Sequence, residues 1–430
     1  MAKIVLPASR KSARSLFIAL ILPVLAGLFE SALLASLPAQ GGQGAGGQGG
    51  SEDANKPGYV NCTTCNHTGA RECTACKSRK ETFEASGAKF DSELPKCKSC
   101  SGSFQKDCSK CENPASEGPQ KARIEALDAW LKKQQARVDE LVAHECMHAE
   151  SRWFFITFDL KPMMVDKKRL GSYELMHLYI KRMEDFRKLY QQTMEISDAD
   201  VPDRCELYMW RDGRDQAIAA PKFTGMGSSG SGIKLMGASS VYSFLLDKRY
   251  VKDDEDLHRH MVHNVTHLLS AQLTPAQWIG QLGGGWLDAG LAHYFEFKLD
   301  EKCTTYCYQE VATQMDFKGG KWLVPIRKMV ASDRKLTSFP TLCTKNTDGL
   351  DPREHALAFS YVHYLLEGDW ESSKAKVEDG KGRGKALTRV LRILKQKKEA
   401  REALRDVYGW TGNSLEEKWK EWVLRTYPTR

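Results

Sequence analysis

The spacing of apolar positions divides the chain into a short apolar run near the N-terminus, a polar cysteine-bearing stretch, and a long region of strands and helices. From Pro119 to about Met147, Ile124, Leu127, Leu131, Val138, Leu141 and Val142 recur at helical spacing with charges between them, which predicts one helix. "SRWFFITFDL" (151–160) is rich in β-branched and aromatic residues and predicts the first strand of the main domain. "RCELYMWRD" (204–212) predicts a second strand, and "SGSGIKLMGASSVYSFLL" (229–246) one or two more between Gly/Ser turns. Helical periodicity covers 171–194, "DEDLHRHMVHNVTHLLSAQL" (254–273) and, after the Gly-rich 280–285, "WLDAGLAHYFEFKL". It returns in "REHALAFSYVHYLLEG", "GKALTRVLRILKQKKEAREALRDVYG" and "SLEEKWKEWVLRTY". A few strands followed by many helices is an α+β arrangement. A chain of 430 residues is long enough for a sizeable core and more than one domain.

The N-terminal run changes the picture of where the chain works. "MAKIVLPASRKSAR" is basic, and "SLFIALILPVLAGLF" follows it up to Glu30. That length suits the apolar part of an export signal and is short for a membrane span. Residues 1–39 are therefore expected to be a signal peptide, cleaved near Ala35 or Ala39, or else an uncleaved membrane anchor. Either way the rest would be exported, periplasmic or extracellular, and would meet a membrane only through this segment. Residues 40–58 are Gly-rich and predict a flexible linker. The net charge of +8 is mild and gives no argument for nucleic acid. The basic stretch 381–401 is amphipathic through Leu387, Val390, Leu391 and Leu394, and reads as a domain helix with a solvated basic face, with membrane-surface binding as the alternative.

Eight of the thirteen cysteines form four C-x-x-C turns: Cys62/Cys65, Cys73/Cys76, Cys97/Cys100 and Cys108/Cys111. Seven residues separate the first turn from the second and the third from the fourth, and twenty separate the halves, so 59–114 reads as an internal duplication. Each turn puts two thiolates on one side of a tight loop, and two turns complete a tetrahedral Zn²⁺ site, so two structural zinc ions are expected. Four thiolates leave no open coordination position, which points to a structural or protein-binding role. Disulfides are the competing reading for an exported chain. The spacer "ETFEASGAKFDSELP" offers little to bury, so metal is expected to supply most of the module's folding energy. Cys146, Cys205, Cys303, Cys307 and Cys343 lack metal spacing; Cys303 could pair with Cys307 or Cys343, or all could be buried thiols.

"CTTCNHTG" and "CKSCSGSF" resemble the cysteine-rich zinc repeat of DnaJ-type co-chaperones over about 60–113, although "CTACKSRK" and "CSKCENPA" lack its glycines. The resemblance implies that the outer turns share one ion and the inner turns the other; the short spacers also permit pairing of neighbours. No J-domain precedes the module, so the chaperone partnership of that family does not carry over.

In "HRHMVHNVTHLLS" (258–270), His263 and His267 stand four apart, on one face of a helix. "WLDAGLAHYFE" (286–296) follows about twenty residues later. Together they resemble the gluzincin metallopeptidases, which carry H-E-x-x-H followed by W-L-x-E-G-x-A-x-Y-F; Trp286, Leu287, Gly290, Ala292, Tyr294 and Phe295 match. The resemblance spans roughly 151–425 and implies a mixed sheet, paired active-site helices and a helical C-terminal part. It breaks at two positions. Asn264 stands where the general base belongs, and an amide takes no proton at useful pH. Ala289 stands where the third zinc ligand belongs. Asp288, one residue off, is expected to point away, and His293, one turn beyond Ala289, offers an imaginable three-histidine site with His263 and His267. His260 extends the stripe. Packed or surface histidines left from an ancestral site are the favoured reading.

"HECMH" (144–148) carries the full motif, with Glu145 between His144 and His148, but in a poor context: it closes the predicted helix just before a strand. Glu174 and His177 are the evident candidates for a third ligand. The chain is thus expected to be an exported, non-catalytic protein: a two-zinc module (59–114), a connecting helix (115–150) and a degenerate gluzincin-like domain (151–430) that binds a polypeptide or envelope protein. An active zinc endopeptidase, using His144/Glu145/His148 or a rebuilt His263/His267/His293 site, and a structural envelope component are the alternatives.

Overall fold

The strand-forming runs assemble into one six-stranded sheet, and the helical runs pack on it and continue past it. The computed structural model describes residues 64–65, 69–110, 119–228, 232–237, 239–248, 251–273, 279–281, 283–306, 319–332, 336–378, 381–396 and 398–430, all within the unit Pro57–Arg430. The expected signal and linker, and Cys62, Cys111 and Cys307, lie outside the described residues.

The cysteine-bearing stretch contains β1 (Ala70–Glu72), the helix α1 (Lys77–Ser86), β2 (Phe90–Asp91) and β3 (Gln105–Asp107). The helix α2 (Pro119–Gln134) passes through a π turn at Gln135–Asp139 into a last turn, α3 (Glu140–Val142). Next come β4 (Met147–Glu150), β5 (Phe154–Phe158), a small hairpin of β6 (Met163–Val165) and β7 (Lys168–Leu170), and α4 (Ser172–Met194). After β8 (Cys205–Trp210) and α5 (Gly213–Thr224) the chain forms β9 (Gly232–Leu235), β10 (Ser240–Leu245) and α6 (Asp254–Leu273). The remainder is helical: α7 (Gly285–Asp300), α8 (Leu323–Ser332), α9 (Phe339–Leu342), α10 (Pro352–Glu367), α11 (Arg383–Lys395), α12 (Ala400–Tyr408) and α13 (Gly412–Thr426). The architecture is mixed α+β, with a mixed sheet and a helical C-terminal part.

The sheet order is β2-β4-β5-β8-β10-β9. β5, β8 and β10 run parallel, with Phe154 and Ser240 both opposite Cys205; β4 pairs antiparallel with β5 and β2 antiparallel with β4 on one side, and β9 pairs antiparallel with β10 on the other. Every residue of β5 is buried, as expected of an apolar run in a strand covered on both faces. α4 packs on β4 and β5, α6 on β10, and α5 on β8, β9 and β10. α6 also packs on α7, and α7 on α10. Gly290 makes the α7–α10 approach possible: a Cβ there would come within 2.5 Å of the Ala358 carbonyl oxygen and 2.6 Å of Val362 Cγ2.

Two expectations need correction, and the reading of 381–401 as a domain helix is met. The helix from Pro119 ends at Val142, not Met147; Ala143 turns left-handed (φ 61°), and Met147 opens β4 between β2 and β5. "HECMH" is therefore not helical, because pairing with two strands takes its second half. Nor is the cysteine-rich spacer short of apolar contacts. Phe83, Leu94 and Phe104 are buried within the main core, Phe90 stacks on Trp130 at 5.4 Å, and β2 is a strand of the main sheet. The apolar residues of the basic 381–401 stretch are spent in packing: Leu387, Val390, Leu391 and Leu394 are fully buried, and α11 lies against α4, α10 and α12. Among the described residues no helix is long and apolar enough to cross a membrane.

Phe83 joins the two parts, with its ring 5.5 Å from Phe104 and 6.0 Å from His177 of α4. Phe83→Ala should cost about 3 kcal/mol, the usual loss for a buried phenylalanine. In denaturant, the cysteine-rich stretch and the sheet should unfold in one transition, at lower midpoint and unchanged slope in the variant; two separable transitions in the parent protein would refute the shared core.

Candidate metal centres

The first centre follows from the register of one small hairpin. β1 and β3 pair antiparallel, Ala70 opposite Asp107 and Glu72 opposite Gln105, with flanking bonds from Cys73 N to Phe104 O (2.9 Å) and Cys108 N to Gly69 O (2.9 Å). This brings the turn that follows β1 beside the turn that precedes β3. Cys73, Cys76, Cys97 and Cys100 converge, with Sγ–Sγ distances of 3.8 Å (Cys73–Cys97) and 3.4 Å (Cys76–Cys100). Two thiolates on one tetrahedral zinc ion stand about 3.8 Å apart, given Zn–S bonds of about 2.3 Å. The four sulfurs could bind zinc, and they fit it. The inner turns thus share one centre, the arrangement that spacing alone left open. Beyond the hairpin's other end Cys65 and Cys108 pack together, both buried. Cys303 and Cys343 are free thiols: Cys303 donates to the His293 carbonyl and Cys343 to that of Pro340.

Burial pushes the Cys76 and Cys100 thiols up, so these sulfurs hold their protons unless a cation is present. For Cys97, burial works upward but is outweighed by the Ser99 backbone N–H and the neighbouring thiols, and the net shift is down.

The second centre lies between α6, α7 and α10. His267 and His263 present their Nε2 atoms to each other at 3.3 Å. Their Nδ1 atoms face carboxylates: Asp288 Oδ1 at 3.0 Å from His267, and Glu296 Oε2 at 3.2 Å from His263. Asp288 therefore does not point away, as its place one residue from Ala289 led us to expect; the crossing of α7 over α6 turns it inward, and Thr347 donates to its second oxygen at 3.0 Å. Glu296 Oε2 also lies 3.4 Å from His293 Nδ1, and its Oε1 accepts from the Thr304 and Thr305 backbone N–H groups at 2.5 and 2.8 Å. His293 Nε2 continues to His355 Nδ1 of α10 at 3.1 Å. The six side chains are all at most 2 % exposed.

This arrangement changes the expected three-histidine site. His267 faces one nitrogen of His263, and His293 lies on the side of the other, so the three imidazoles do not aim at one point. His263, His293 and Glu296 form a set whose ligand atoms lie within 4.8 Å of one another. The His263–His267 pair has the spacing of two ligands on a tetrahedral ion, about 3.3 Å for bonds of about 2.0 Å. If Nδ1–H is donated to a carboxylate on each ring, two Nε2 lone pairs confront each other, and only a proton or a metal ion between them relieves the repulsion. Ala289 is buried and supplies no ligand. Asn264 is held at both ends: Lys234 Nζ of β9 donates to its Oδ1 and its Nδ2 donates to the His260 carbonyl, each at 2.8 Å. Sequence reasoning missed Glu296 and His355; their signal was a charged or imidazole side chain within otherwise apolar helical runs.

The HECMH residues separate. His148 is buried, its Nε2 2.9 Å from Asp139 and Nδ1 3.1 Å from Thr157 Oγ1. Glu145 is exposed and pairs with Lys96. His177 is taken by Asp91 (2.8 Å) and Ser86 (2.9 Å). No family model, no curated protein and no solved structure matches this chain.

Zinc uptake by the cysteine centre should release protons, up to about four per ion, visible as a buffer-dependent heat of binding. Cys73→Ser should lose one ion per chain, and an unchanged metal count would exclude the centre. A second expectation concerns His260 and His258. Burial, with Lys234, pushes His260 down to about 3; burial, with Arg182, pushes His258 down to about 4. The unfolded chain takes up these protons near pH 6.5, so it binds more protons than the folded one below that pH. Stability should be full above about 6.5 and fall toward pH 4, by up to about 1.4 kcal/mol per pH unit for each proton. His260→Asn should flatten the slope in unfolding measured at pH 7, 6 and 5; a slope unmoved by it would contradict the assignment.

Proposed function

We propose that this is an exported protein whose 151–430 domain is metallopeptidase-like but not hydrolytic, and which binds extended polypeptide beside α6. The observation that carries the reading is the fate of Asn264. At the position where a peptidase needs a carboxylate, the amide oxygen accepts from an ammonium group of the neighbouring strand. No proton can be taken from water there. Ala289 removes a ligand as well, so that hydrolysis lacks both base and metal grip.

Support for polypeptide binding comes from β9. It is the last strand of the sheet, antiparallel to β10, and Lys234 ties it to the helix that bears His263 and His267. An extended chain can add to such an edge through backbone hydrogen bonds. The cysteine centre fits a structural zinc ion that holds the β1–β3 hairpin.

The rival, a working zinc endopeptidase, draws on the 3.3 Å approach of the two Nε2 atoms. Two experiments separate the readings. Full-length protein loaded with zinc should hydrolyse no peptide in a library; turnover that disappears in His263→Ala or His267→Ala would overturn the proposal. Binding of an unfolded, fluorescently labelled polypeptide should depend on the β9 edge. In an antiparallel pair, one of two successive residues points its N–H away from the partner strand. Of Ile233→Pro and Lys234→Pro, each compared with the parent well below its own melting temperature, one should therefore weaken binding about tenfold, the worth of one backbone hydrogen bond. No loss from either would remove the edge from the proposal.

A further inference from the structure

His144, left over from the dissolved HECMH motif, lands in a different cluster. The left-handed turn at Ala143 swings it toward the ends of two parallel strands. Asp159 is the first residue after β5; Asp215 lies in the first turn of α5, just after β8. The ligand atoms of His144, Asp159 and Asp215 all lie within 4.8 Å of one another. Loops at the carboxyl ends of parallel strands are where open α/β sheets hold their ligands.

Each donor is poised and short of partners. His144 Nδ1 lies 3.3 Å from the Val142 carbonyl, to which its N–H can donate; that leaves the Nε2 lone pair facing Asp215 Oδ2 at 3.8 Å and Cys146 Sγ at 3.6 Å. A backbone carbonyl behind the far nitrogen is how metal-bound histidines are oriented. Asp215 is 6 % exposed and makes no hydrogen bond among the described residues. Asp159 Oδ2 is buried with no hydrogen-bond partner. The surrounding charges do not complete the set. Arg211 reaches only Asp159 Oδ1, at 3.7 Å, and is half exposed; Asp212 caps α5; Asp139 is taken by His148 and the Cys146 N–H.

We propose that His144, Asp159 and Asp215 bind a divalent ion of the zinc class, with the Cys146 thiol as a further donor. One imidazole nitrogen, two carboxylate oxygens and a nearby sulfur suit zinc rather than magnesium or calcium, which take oxygen ligands. His144 is 37 % exposed on the outer side, so water can complete the coordination.

The test is metal counting and zinc titration on the full chain. His144→Ala and Asp215→Asn should each lose one ion per chain and weaken zinc at this site at least about 100-fold, the upper end of what loss of an outer-shell partner alone causes. His144 is a surface residue, so His144→Ala keeps the test open if the buried Asp215→Asn fails to fold. Cys73→Ser should remove a different ion, and His263→Ala with His267→Ala should leave this one in place, which keeps the outcome separate from that of the peptide-binding proposal. Cobalt at the site should give weak d–d bands lost in His144→Ala. An unchanged zinc count and affinity in folded His144→Ala, or tighter binding of magnesium than of zinc, would overturn the proposal.

Discussion

A buried imidazole needs a partner on each nitrogen, and the C-terminal half of this protein is arranged to supply them. Asp288 and Glu296, eight residues apart on α7, stand behind His267 and His263, four apart on α6. Because the second carboxylate also serves His293, and His293 reaches His355, three helices are locked by one continuous polar chain. Breaking a buried pair by removing one member costs about 3–5 kcal/mol, because the other is stranded. The register of α6 on α7 is therefore fixed by polar matching as well as by apolar packing, and the position of Asn264 against β9 follows from it.

The same logic of register governs the other end of the described chain. Three residue pairs in β1 and β3 decide which cysteine turns meet. The β2 strand and Phe83 then bind that hairpin to the sheet, so the metal centre is set on a fold with its own core rather than standing alone. A metal ion held there would order four thiols locally, on a stretch whose apolar side chains already belong to the main core.

What could be read from the sequence follows from which signals are local. The helix at 254–273 was legible because its apolar spacing and acidic first turn are properties of one segment, and α4 lies within a residue of its expected start. Strand β4 was not legible: Met147–Glu150 becomes a strand because β2 and β5 lie on either side, and no window around it contains either neighbour. Asp288 was misjudged for a related reason. Its angle around α7 is known from the sequence, but the direction of α7 over α6 is not. The inner pairing of the cysteine turns was legible only as one of two choices, since seven-residue spacers allow both, and the hairpin decides between them.

The residues that carry the metallopeptidase resemblance also have packing duties of their own. Trp286 meets Phe339 edge-on at 5.0 Å, Gly290 admits α10, Tyr294 donates to Glu367 at 2.7 Å, and Phe295 lies against Tyr190 and Phe186 of α4. Each would be kept for the helix frame whether or not a bond is ever cleaved. Positions 264 and 289, where the resemblance would call for carboxylates, are different in kind. A glutamate at 264 would meet Lys234 as an ion pair, and one at 289 would need a cation inside a dry helix interface. With an amide and a methyl there instead, the frame retains its packing and avoids a buried charge that only a bound metal could stabilise. Packing alone accounts for the aromatic and glycine positions of this motif, and it requires no carboxylate at 264 or 289.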